Sequence, residues 1–146
     1  MKTFLSIGSL AITLLILGNC QSGPGEKQTT IESVKMVDTM QVYYFHLTHR
    51  CNTCRTVESE AEKSLVRLYP QAVKERRLTY QALNFEEEKN KQLIEKLEVG
   101  GQSLLFVAGS QVIDLTTEAF LYAVDEPSKL REIVKETVDT YLNQAG

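Results

Sequence analysis

The sequence predicts a mixed α/β domain, a central sheet flanked by helices in the chain order β-α-β-α-β-β-α, on three observations. A run of strand formers, Val42-Tyr43-Tyr44-Phe45-His46-Leu47, carries apolar residues on both faces and leads into a stretch with helical spacing. A second strand-then-helix pattern begins at Leu78, which implies a parallel crossover. Two short apolar runs separated by Gly109-Ser110 then precede a last helical stretch, which adds an antiparallel edge.

Taken in order, the chain opens with Lys2 and an apolar run from Phe4 to Leu17 that is short for a bilayer span and reads as a signal-peptide core. It ends in Leu17-Gly18-Asn19-Cys20, which resembles the bacterial lipobox, so residues 1–19 are expected to be a signal peptide and Cys20 a lipidation site. An ordinary signal peptide or an uncleaved anchor with an incidental cysteine is the alternative. Residues 20–39 follow as the lipidated cysteine and a tether, because Gln21 to about Thr30 holds almost nothing to bury against its ordering entropy. Ile31 to Thr39 fits a short helix or an edge strand.

The domain is expected over 40–146. After the first strand, Val57, Ala61, Leu65 and Leu68 recur at helical spacing with charges mostly opposite, and Pro70 follows the end. Leu78 to Phe85 reads as the second strand, and Glu86-Glu87-Glu88 as an acidic helix start leading to Leu93, Ile94 and Leu97. Gly100-Gly101 is expected to break that helix. Ser103–Val107 and Gln111–Leu115 make the hairpin, and Phe120, Val124, Leu130, Ile133, Val134, Val138 and Tyr141 share a helical face that Pro127 divides.

Composition sets limits on partners. The formal net charge is -3, and removal of residues 1–19 takes away only Lys2, giving -4. With no basic excess, nucleic acid is excluded as a partner, and a field this weak steers little. With Cys20 acylated, Cys51 and Cys54 are the two cysteines left, and each is the other's intramolecular partner in an oxidising compartment.

Those two cysteines lie where the chemistry of an open α/β sheet gathers, in the loop between the carboxyl end of a central strand and the next helix. Cys51 is expected at the helix N-cap, where unpaired amides and the helix dipole favour an ionised sulfur, with adjacent Arg50 acting the same way. The two-residue spacer allows a disulfide across one turn, leaving Cys51 exposed to attack a partner and Cys54 deeper to resolve the mixed disulfide. An inert stapling disulfide is the structural alternative, although so short a loop removes little unfolded-state entropy.

His46 and His49 add a rival, since His46, His49, Cys51 and Cys54 offer four soft-metal ligands for zinc or copper. Against it, strand alternation puts His46 on the face of Val42 and Tyr44 as a packed histidine, and His49 is either a proton shuttle or a solvated loop residue. Glu58, one turn beyond Cys54, either takes a proton from the resolving thiol through water or is a solvated carboxylate.

The strings Tyr43-Tyr44-Phe45-His46, Arg50-Cys51-Asn52-Thr53-Cys54 and Ser103-Leu104-Leu105-Phe106 together resemble the thioredoxin-like superfamily across about residues 40 to 142. Within it, the run from Tyr44 through Arg50, Cys51, Thr53 and Cys54 to Glu58 is similar to small exported proteins known as the ArsF-type subunit of a nitrophenyl-compound nitroreductase. The resemblance implies a thioredoxin-like fold with Cys51 and Cys54 as the active couple. The chain departs from it at three places. The superfamily's cis-proline, which faces the cysteines, falls near Gln102, so either Gln102 takes a cis bond or the peptide-docking surface is remodelled. Arg50 stands where a tryptophan is common, and Phe45 matches the buried acid of many thioredoxins.

The expectation is therefore a lipid-anchored envelope thiol-disulfide oxidoreductase acting on protein thiols or disulfides, with no cofactor. A metal or metalloid binding module and a non-catalytic accessory subunit are the alternatives.

Overall fold

A computed structural model describes residues 36–142 of the chain. The expected signal peptide and the Cys20 lipidation site lie outside these residues. Four strands, β1 (Met40–His46), β2 (Leu78–Asn84), β3 (Ser103–Ala108) and β4 (Gln111–Asp114), form one sheet in the order β2-β1-β3-β4. β1 pairs parallel with β2 and antiparallel with β3, and β4 pairs antiparallel with β3. β3 alone opposes the rest, which is the mixed, thioredoxin-like sheet expected.

Five helices flank it: α1 (Asn52–Leu68), α2 (Pro70–Lys74), α3 (Lys91–Lys96), α4 (Thr116–Tyr122) and α5 (Pro127–Tyr141). Alternation along β1 divides the core. Met40, Val42 and Tyr44 pack with Val57, Ala61 and Leu65 of α1, Ala119 of α4, and Leu130, Val134 and Val138 of α5. Tyr43 and Phe45 point to the other face and meet Ile94 of α3 and Leu105. The α1 stripe is almost fully buried, and each Val or Leu in it contributes on the order of 1.5–3 kcal/mol. β1, covered on both faces, therefore has the continuous apolar run of a central strand.

Three local expectations change. The acidic run Glu86-Glu87-Glu88 does not start a helix directly: a turn and a single 3-10 turn, Glu88–Asn90, precede α3. α3 ends before Gly100-Gly101, because Glu98 takes a left-handed φ of 53° and the Glu98 and Val99 amides donate back to Glu95 and Ile94. Val124 is exposed rather than on the buried face, where Ala119 and Ala123 stand instead. Ahead of β1, Val37 forms an isolated parallel bridge with Leu142, and its amide donates to the Tyr141 carbonyl at 2.7 Å.

Candidate functional site

The site is built from the carboxyl end of β1, the first turn of α1 and the residue before β3. The loop 47–50 between strand and helix is pinned from the neighbouring strand's exit. The Phe85 amide donates to the His46 carbonyl at 2.7 Å, and the Asn84 side-chain amide donates to the Thr48 hydroxyl at 2.9 Å. The Thr48 amide donates to the Glu86 carboxylate at 2.8 Å. Hydrogen bonding from the Thr48 side chain, then from its amide, with a smaller contribution from nearby His49, holds the Glu86 carboxyl below its usual range.

Cys51 is the N-cap of α1, with extended backbone angles (φ -75°, ψ 171°), and its sulfur accepts the Cys54 amide at 3.3 Å. It does with sulfur what Ser, Thr or Asp oxygens ordinarily do at this position. Cys51 is exposed and Cys54, one turn in, is only 5% exposed. Burial pushes the Cys54 thiol up, but the Cys51 sulfur, the Gln102 side chain and backbone N–H groups together outweigh it, and its pKa is lowered. Beneath the turn, the Tyr44 hydroxyl donates to the Cys54 carbonyl at 2.9 Å. Desolvation, then the charges of Cys54 and Glu58, push the Tyr44 phenol up, so it stays a neutral donor.

Arg50 and Glu58 form a half-buried ion pair that ties the loop to the second turn of α1. Glu58 is thus committed to Arg50, and the Arg50 charge is spent largely on Glu58. The Glu58 carbonyl also accepts the Tyr80 hydroxyl at 3.2 Å, which adds β2 to the support. Gln102 stands just before β3, beside the carboxyl end of β1, as its alignment with the proline position implies, and no peptide bond among the described residues is cis.

Cys51, Cys54, Arg50, Glu58 and Gln102 are therefore brought together. The histidines are less so: the His46 ring lies 6.3 Å from that of Tyr44 with Nδ1 3.0 Å from the Leu47 carbonyl, and His49 is exposed in the loop. Among the described residues no group of three or more His, Cys, Asp or Glu side chains is placed to share a metal ion, so the four-ligand set does not converge. Phe45 lies in the opposite core layer from α1, and the phenol of Tyr44 occupies the space below the cysteine turn. Sequence reasoning placed Tyr44 in the core but missed its hydroxyl's role, and it missed Thr48, Asn84 and Glu86. The signal for Tyr44 is its parity with Val42 on the α1 face; the others are joined only by the parallel register of β1 and β2.

No helix among the described residues is long and apolar enough to cross a membrane. No protein-family model matches the chain, and no curated protein matches it. Among solved structures it is similar to a malarial protein at 17% identity, with a TM-score of 0.45, over 68% of this chain and 97% of that one.

Proposed function

We propose that the chain is a thiol-disulfide oxidoreductase of the cell envelope, tethered through lipid on Cys20 and acting on thiols or disulfides of another envelope protein. The observation that carries this reading is the asymmetry of the pair: an exposed Cys51 sulfur at the cap of α1, with a buried Cys54 directly behind it at 3.3 Å from amide to sulfur.

In the reducing direction, the Cys51 thiolate attacks one sulfur of a partner disulfide. A Cys51–partner bond forms, and the other partner sulfur leaves as a thiolate. The Cys54 thiolate then attacks the Cys51 sulfur, releasing the second partner thiolate and leaving Cys51–Cys54 oxidised. The reverse sequence oxidises a partner dithiol. Amides at the start of α1 stabilise charge on the exposed sulfur, and the Tyr44 hydrogen bond keeps the turn in register with β1. The leader and Leu17-Gly18-Asn19-Cys20 support export and anchoring.

The test is Cys54→Ser in the full-length protein expressed in cells. A covalent adduct on Cys51, released by dithiothreitol and lost when Cys51 is also changed to Ser, is expected. Absence of any adduct, with Cys51 alkylated at neutral pH no faster than an unstructured thiol, would overturn the reading. So would stoichiometric zinc or copper retained by protein purified reduced without added metal.

A further inference from the structure

We infer that the Gln102 side-chain amide is a positioning residue for the resolving step, held as the hydrogen-bond donor to the Cys54 sulfur as that sulfur becomes the attacking thiolate. This rests on the exchange reaction proposed above and assigns the group that makes its second step workable.

The sheet register fixes where Gln102 stands. Leu104 pairs with Tyr44 and Ser103 with Phe45, so residue 102 lies at the end of β1, beside the turn whose carbonyl Tyr44 holds. There its Nε2 is buried and makes no hydrogen bond. A buried amide nitrogen left so is uncommon, because the water it gave up is not replaced. The polar atom it can serve is the Cys54 sulfur, whose ionised form the amide already favours.

A buried thiol must lose its proton before it can attack, and a thiolate in low dielectric needs fixed donors or a neighbouring base. Phe45 supplies no base, and Glu58 is engaged by Arg50. The ionisable groups around the sulfur are Cys51 at the cap, Tyr44 from β1, and the Arg50–Glu58 pair, whose charges offset each other. A neutral donor from β3 is then what separates an ionisable Cys54 from an inert one. When Cys54 attacks Cys51, the bond from Cys51 to the partner breaks, the partner sulfur carries away the electron pair, and the amide is left beside a neutral disulfide.

The test uses the full-length chain carrying Cys20→Ser, so that Cys51 and Cys54 are its two thiols. Reaction with dithiobis(nitrobenzoate) releases one coloured thiolate when Cys51 attacks and a second when Cys54 resolves the adduct. Gln102→Met keeps the side-chain volume and removes the donor; Gln102→Asn keeps an amide but draws it back by a methylene. Both are expected to leave the first phase unchanged and slow the second at neutral pH. A tenfold loss of thiolate, partly offset by greater nucleophilicity, gives a slowing of roughly threefold to fourfold. The slowing should reverse at high pH, where the thiol is ionised in parent and variants alike and the more basic sulfur is the better nucleophile, and the couple of Gln102→Met should become more reducing, because its reduced form has lost a donor.

A second phase at the parent rate in both variants would overturn the assignment. A parent protein that keeps two stable adducts and releases no second thiolate by exchange would instead overturn the oxidoreductase reading beneath it.

Discussion

Removing the Tyr44 hydroxyl measures how firmly the cysteine turn is fastened to the sheet. Tyr44→Phe changes no packing volume in a side chain that is fully buried, and it deletes one hydrogen bond of 2.9 Å to the Cys54 carbonyl. That carbonyl lies inside α1 and accepts a helical amide as well, so it is not orphaned by the change. The cost is therefore the net worth of one buried hydrogen bond, about 1 kcal/mol, rather than the larger penalty of a stranded acceptor. In a domain of about 100 residues this lowers the thermal midpoint by roughly 4–6 °C. Urea unfolding of the reduced protein, compared at equal m-values, reads the difference directly. A change below about 0.3 kcal/mol would refute the claim that this bond fastens the turn, and a loss above about 3 kcal/mol would show that the carbonyl depends on Tyr44 alone.

Two further outcomes follow from the same geometry. The Cys54 thiol has its pKa lowered in the folded, reduced protein despite the opposing effect of burial, so the stability it contributes is present above the unfolded value of about 8.5 and is lost as pH falls through the lower folded value. The unfolding free energy of the reduced protein, less that of Cys51→Ser/Cys54→Ser, should therefore rise with pH towards that value and then level off; a flat or falling difference contradicts the hydrogen-bonding account. Glu98→Gly should stabilise the domain by about 0.5–1 kcal/mol, because the exposed glutamate occupies a left-handed conformation that glycine adopts freely. A lower thermal midpoint for this variant would mean that the Glu98 side chain makes a contact worth more than its strain.

The elements that carry the site were legible because their signals are local. The two-faced apolar run of β1, the helical stripe from Val57 to Leu65 and the Gly109-Ser110 turn each announce one element, and together they leave few topologies. The position of Cys51 and the depth of Cys54 followed from placing a C-x-x-C across a strand-to-helix junction. What failed was chemistry without a local mark. Helices α2 and α3 end on Arg76 and Glu98 in left-handed conformations, and neither residue type signals a stop as glycine does. The run Glu86-Glu87-Glu88 looked like a helix start because acids favour that place. Glu86 instead spends its carboxylate on the Thr48 amide across the parallel strand pair, a contact 38 residues apart in sequence. By sequence Glu58 reads as a proton acceptor or a solvated acid, whereas its pairing with Arg50 depends on how the loop folds back over α1.

The bridge between Val37 and Leu142 sets a direction for the whole domain. Val37 lies just ahead of Met40, where β1 begins, whereas Cys51 follows His46, where β1 ends, so the strand separates them by roughly 20 Å. α5 returns its last residue to Val37, which puts entry and exit of the described chain at the same pole and the sulfurs at the opposite one. A protein that exchanged with Cys51 as proposed would meet the pole opposite the one where the described residues begin and end.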